Sequence, residues 1–265
     1  AARRGYTKEA LEKPLQAGAL MATTAFSHIT DEKTRVFIGL LSGITIYVDN
    51  AYEHDVSGIR SFTANMLHGK PVDGSGSGLQ LFADLIREVA CYFAEGAASG
   101  MIQTSALDFV ASTILEYDIR EDAVPEASTD FAQHLRTMTS MSRGFAIMGF
   151  GPDTPLSSYI QALTDVQLVT QNTNDVLSFY KEELEEDSVN MVSLRATQAG
   201  STKLEELDKI VSETVKAHRR VLAVLSLKST LLVSSYLAYI RGWVLFHLML
   251  DTRYKLSQVD LWGSA

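Results

Sequence analysis

The sequence contains one cysteine, Cys91, so no intrachain disulfide can form and a reducing, cytoplasmic location is expected. As a lone small thiol, Cys91 reads as a buried apolar residue. Positive charge is also scarce: 23 Lys and Arg stand against 32 Asp and Glu, a net charge of −9. That argues against nucleic acid as a partner, because phosphate backbones need clustered basic residues. No apolar run follows Arg3 and Arg4, so nothing there reads as a signal peptide. The chain starts at Ala1, which leaves a longer natural N-terminus open. The Gly-rich residues 69–78 lack the closing Gly-Lys-Ser/Thr of a phosphate-cradling P-loop and read as a plain loop. No internal repeat and no dividing linker is evident. Residues 231–250 are long and apolar, but Arg241 sits in their middle, with Tyr236, Tyr239 and His247 alongside. An Arg at mid-membrane is costly, so this stretch reads as a buried helix lining a cavity and not as a membrane span.

What is present is 46% apolar residues in 265, enough for one sizeable core. Helical spacing dominates, which predicts an all-α, single-domain chain over residues 1–265. Helices are expected over 9–26, from a Thr30 cap to about 49, then over 56–66, 79–95, 101–117 and 129–150. Another starts at Thr154-Pro155 and ends near residue 182, one follows a Thr202/Glu205 capping box, and Lys228 opens the last.

The stretch that organises the chain is Asn174-Asp175-Val176-Leu177-Ser178-Phe179-Tyr180-Lys181-Glu182. Asn174, Ser178 and Glu182 are four apart, so on a helix they stack on one face, each step overshooting a turn by about 40°. An amide oxygen, a hydroxyl and a carboxylate there form a hard oxygen set, suited to Mg²⁺. Lys181 reaches the same rim as a point charge for phosphate. A second acidic group lies at Asp49-Asn50, with Glu53 and Asp55 following. Asp49 and Asn50 point about 100° apart on a helix, so only one can face a shared metal.

The 174–182 stretch resembles the Asn/Ser/Glu magnesium motif of class I terpene cyclases, in the version of the fungal trichodiene synthase family. The resemblance covers residues 49–256 and implies a class I terpenoid synthase helical bundle around an apolar cavity. It implies Asp49, Asn174, Ser178 and Glu182 as ligands of Mg²⁺, three ions in all. In this family two adjacent Asp are usual, and here Asn50 replaces the second. Residues 131–138 resemble the segment carrying the family's pyrophosphate-sensing arginine, which falls on Arg136, with Arg143 the competing candidate. Arg253-Tyr254 matches the family's C-terminal Arg-Tyr pair. Arg136, Lys181, Arg253 and Tyr254 are then the donors to the diphosphate. The implied substrate is farnesyl diphosphate, cyclised to a sesquiterpene with release of pyrophosphate, and homodimers are common among relatives. Phe26, Tyr47, Tyr117, Phe145, Tyr239, Trp243 and Phe246 are candidates to line the cavity. Two other readings are a chain-elongating prenyltransferase, disfavoured by the absence of a second Asp-rich motif, and a helical binding or scaffold protein without turnover.

Overall fold

The computed structural model describes residues 8–49, 55–72, 78–93, 96–120, 122 and 124–259. Among them are helices and no strands. In chain order they are α1 (Lys8–Thr23), α2 (Glu32–Asp49), α3 (Val56–Leu67), α4 (Gly78–Tyr92), α5 (Ala97–Asp118), α6 (Phe131–Thr139), α7 (Ser142–Met148), α8 (Ile160–Leu184), α9 (Met191–Ala199), α10 (Lys203–Ser226), α11 (Thr230–Met249) and α12 (Asp251–Tyr254).

α8 is the centre of the bundle and packs against α7, α10, α11 and α12. α1 and α2 lie unusually close because glycines meet at the crossing. A Cβ on Gly18 would sit 2.1 Å from the Gly39 carbonyl oxygen, and one on Gly43 would meet the Pro14 carbonyl oxygen at 2.6 Å. Only hydrogen fits at these positions. The main core runs through Phe37, Leu41, Ile44, Phe82, Ile86, Val166, Tyr239 and Phe246. A smaller apolar cluster, with Leu135, Met191, Val192 and Ile210, ties α6 and α9 to α10.

The expected capping box is present: Thr202 Oγ1 accepts from the Glu205 backbone N–H, while the Glu205 carboxylate accepts from the Thr202 N–H. Other boundaries differ. Asp31, not Thr30, caps α2, its carboxylate accepting from the Thr34 N–H at 2.8 Å. Ser229 caps α11, one residue beyond Lys228, with its hydroxyl accepting from the Leu231 N–H. Thr154 does not cap a helix; its hydroxyl donates back to the Phe150 carbonyl, a 3₁₀ turn spans Leu156–Ser158, and α8 begins at Ile160. Cys91 is exposed, contrary to expectation, because it falls on the outer face of α4 while Leu85, Ile86 and Val89 take the inner one.

The helix expected over 129–150 is two helices. It breaks at Met141, whose φ of 48° is left-handed. The buried Met141 side chain, with its sulfur 3.4 Å from Thr45 Oγ1, anchors that turn. α11 is long and apolar enough to cross a membrane by length and composition. One of its faces, carrying Tyr239, Trp243, Phe246 and His247, is buried in the bundle, while Arg241 is exposed.

Candidate functional site

The helical stack predicted on α8 is present: Ser178 Oγ donates to Glu182 Oε1 at 2.5 Å, one turn on. One turn earlier, Asn174 Oδ1 accepts from Arg136 Nη2 on α6 at 2.7 Å. Arg136 also places its Nε 2.6 Å from Asp175 Oδ1. On the opposite wall Asp49 ends α2, and its Oδ2 pairs with Arg253 Nη2 of α12 at 3.0 Å. Lys181 lies on the rim, paired with Glu185 at 2.9 Å.

These side chains and Tyr254 line one polar chamber of about 480 Å³. All the site residues read from the sequence therefore converge, from four helices. A second chamber of about 120 Å³ adjoins it, sharing Asp49, Arg136, Asn174, Arg253 and Tyr254 and walled by Phe109, Phe145, Trp243 and Phe246. Of the other aromatic candidates, Phe26 and Tyr239 pack behind this wall. Tyr117 is exposed and Tyr47 packs against Gly78, so neither lines the inner chamber.

The competing Arg143 points elsewhere. Its Nη2 donates to Asp108 and Thr104 on α5, and it lines neither chamber. Asp55 caps α3 by accepting from the Gly58 N–H at 2.9 Å and is not in the cavity. Asn50, Glu53 and His54 lie outside the described residues.

Sequence reasoning missed Glu116, which projects from the last turn of α5 into the polar chamber. Its only signal was a carboxylate directly after Ile114 and Leu115 in a largely apolar helix. Burial pushes its carboxyl up to about 8, aided by the nearby Asp49 charge. Burial likewise raises Glu182 to about 7, opposed by the Ser178 hydrogen bond. Asp175 is raised by burial against the pull of Arg136. Burial opposes the Arg136 charge, but Asp175, Glu182 and Glu116 outweigh it and hold the guanidinium protonated. His247, wholly buried on α11, is pushed down to about 4 by desolvation and stays neutral.

These shifts set a sign for stability. Glu116 and Glu182 hold protons in the folded chain that the unfolded chain releases near 4.5, so their contribution to stability falls as pH rises toward 8. His28, His218 and His247 have lowered values and act oppositely, but only below about 6.5, where unfolded His gains its proton. The metal-free protein should therefore melt at progressively lower temperature between pH 6.5 and 8. Differential scanning fluorimetry in chelator checks this, and a flat or rising Tm across that window would contradict the burial of these carboxylates.

The donor set fits a hard divalent cation. Amide, hydroxyl and carboxylate oxygens face one chamber, with a further carboxylate across it. Among the described residues no three His, Cys, Asp or Glu side chains cluster as a ready-made metal site. The set is instead mixed, and only Asp49 and Glu182 in it are acidic.

Comparison with known proteins agrees with this architecture. The family model of trichodiene synthase (TRI5) matches residues 8–261. The chain is 29% identical to alpha-cuprenene synthase COP6 of Coprinopsis cinerea, over 98% of this chain and 80% of that protein. It is 30% identical to monoterpene synthase 25 of Postia placenta, over 82% of this chain and 66% of that protein. The crystal structure of linalool/nerolidol synthase from Streptomyces clavuligerus with 2-fluorogeranyl diphosphate superposes with a TM-score of 0.69, at 14% identity, covering 92% of this chain and 93% of that one. That likeness establishes the class I terpenoid synthase helical fold, and the match along nearly the whole chain establishes more: the protein belongs to the trichodiene synthase family and is a terpene synthase.

Proposed function

We propose that the chain, acting as a single domain, is a magnesium-dependent sesquiterpene cyclase that ionises farnesyl diphosphate and closes the resulting carbocation into a ring. The observation that supports this is the convergence of α2, α6, α8 and α12 on one polar chamber that opens onto an aromatic-walled one. Asp49 on one wall and Asn174, Ser178 and Glu182 on the other are the residues that would hold Mg²⁺. When bound, the metal neutralises charge growing on the leaving diphosphate.

Arg136, Lys181, Arg253 and Tyr254 donate to the diphosphate oxygens, strengthening as charge builds there. In the free protein two of these donors are engaged with the cation-site oxygens themselves, Arg136 with Asn174 and Arg253 with Asp49. Cation and diphosphate each take one member of both pairs, so their binding is coupled. The inner chamber then shields the carbocation from water, and the faces of Phe145, Trp243 and Phe246 offer it π-electron density.

A second reading concerns chain length. A cavity of roughly 150 Å³ is about large enough for benzene, and the inner chamber is about 120 Å³. A fifteen-carbon chain therefore requires the wall to open, and a ten-carbon chain requires less. Geranyl diphosphate is the alternative substrate on this ground.

Incubation with Mg²⁺ and each diphosphate, with gas chromatography–mass spectrometry of the extract, tests both. A cyclic fifteen-carbon product that disappears with chelator is expected. Undiminished product after exhaustive chelation rejects the metal, and longer prenyl diphosphates would mark a transferase. A homodimer follows from the resemblance alone, and light scattering of the purified chain checks it.

A further inference from the structure

Asn174 carries an ambiguity that Ser178 and Glu182 do not. Its amide presents an oxygen and an NH₂ at equal reach, and a half-turn of the side chain exchanges them. Only the oxygen can serve a cation. Something must hold the flip: in the free protein Arg136, which can only donate, holds Oδ1 at 2.7 Å, and once Arg136 turns to an anion the neighbouring ring is what remains to hold it.

His247 is fully buried on α11. Its Nδ1 lies 2.7 Å from the Trp243 carbonyl oxygen, one turn earlier on the same helix. A carbonyl can only accept, so Nδ1 carries the proton, and the lone pair of the neutral ring is on Nε2. Nε2 is 2.9 Å from Asn174 Nδ2 and accepts from it. With its NH₂ committed to the ring, the Asn174 amide turns Oδ1 the other way, to where Arg136 Nη2 donates at 2.7 Å. The ring has little freedom to undo this, because Trp243, Phe246 and Tyr254 pack against it at centroid distances of 5.1, 5.2 and 4.5 Å.

We propose that His247 is a positioning residue: a backbone carbonyl fixes its tautomer, and the Nε2 lone pair then aims the Asn174 oxygen at the cation site. The inference rests on the reading of Asn174 as a metal ligand. It reaches beyond that reading in naming what decides the ligand's polarity. It also explains why the last long helix and the Arg253-Tyr254 segment bear on α8: Tyr254 packs on the ring that orients Asn174.

The test is calorimetric binding of Mg²⁺ with inorganic pyrophosphate, run as a double-mutant cycle. His247→Leu keeps apolar bulk and removes the acceptor. It should weaken Mg²⁺–pyrophosphate binding by about 10- to 100-fold, the usual range for a partner that orients a ligand. His247→Gln returns an acceptor oxygen at similar reach and should recover most of that loss. Asn174→Ala has no amide to orient, so adding His247→Leu to it should change binding by less than about threefold. Ring ¹⁵N chemical shifts of the wild-type protein should report a neutral, Nδ1-protonated His247. An equal loss from His247→Leu in both backgrounds, or an Nε2-protonated ring, overturns the proposal while leaving the site intact. A wild-type protein that binds no Mg²⁺–pyrophosphate at all overturns the site reading, and the proposal with it.

Discussion

Glu182→Gln is expected to lower turnover by roughly a thousandfold, about 4 kcal/mol of lost transition-state stabilisation, without harming the fold. The two halves of this expectation have separate causes. In the free protein Glu182 accepts from the Ser178 hydroxyl, and Gln keeps an Oε1 for that bond. Burial already drives the Glu182 carboxyl toward its neutral form, so a neutral amide fits the folded chain at least as well, and Tm should hold or rise. Catalysis is different. Among Asn174, Ser178 and Glu182 only Glu182 brings formal charge, and an amide leaves any bound cation under-compensated in a half-buried site. Steady-state turnover with a Mg²⁺ titration, alongside a melting curve, separates the two. Near-normal turnover with normal magnesium dependence would remove Glu182 from the ligand set.

How much of this was legible from the sequence varied with the kind of signal. The α8 stack was legible because four-residue spacing converts directly into one helix face, whatever surrounds it. The family resemblance chose Arg136 over Arg143, but helical spacing alone could not separate them, and the reason is geometric. They are seven residues apart, so on one unbroken helix they share a face to within about 20°. The left-handed Met141 ends that helix between them and sends Arg136 toward α8 and Arg143 toward Asp108 on α5. Met is neither Gly nor Asn, so the turn had no sequence mark; buried packing of its side chain determines it. Glu116 and His247 were illegible as site residues for a related reason. Each sits in a largely apolar helix with no helical spacing to a second site residue, and what brings it to the chamber or to Asn174 is a neighbour distant in sequence.

Arg136 is expected to show two losses that a paired substitution can pull apart. Its guanidinium lies 2.6 Å from Asp175 Oδ1 and 2.7 Å from Asn174 Oδ1, neighbours on α8, while the buried Asp175 Oδ2 has no hydrogen-bond partner. Arg136→Met strands the Asp175 carboxylate in the interior, and breaking a buried pair from one side costs about 3–5 kcal/mol. That is a large share of a domain's stability of roughly 5–15 kcal/mol, so low activity in this variant alone would be ambiguous. Arg136→Met with Asp175→Leu replaces both charges by apolar groups, an exchange that is often neutral or stabilising. Chemical denaturation should show the double variant back near wild-type stability. Its turnover should remain about a hundred- to a thousandfold low, the typical loss when one donor to a developing anion is removed. The two readouts then assign Asp175 to holding Arg136 in the bundle and Arg136 to the diphosphate. If turnover instead returns together with stability, Arg136 serves only to neutralise Asp175. The anion-sensing role would then have to be carried by other cations that line the polar chamber, Lys181 and Arg253 among them.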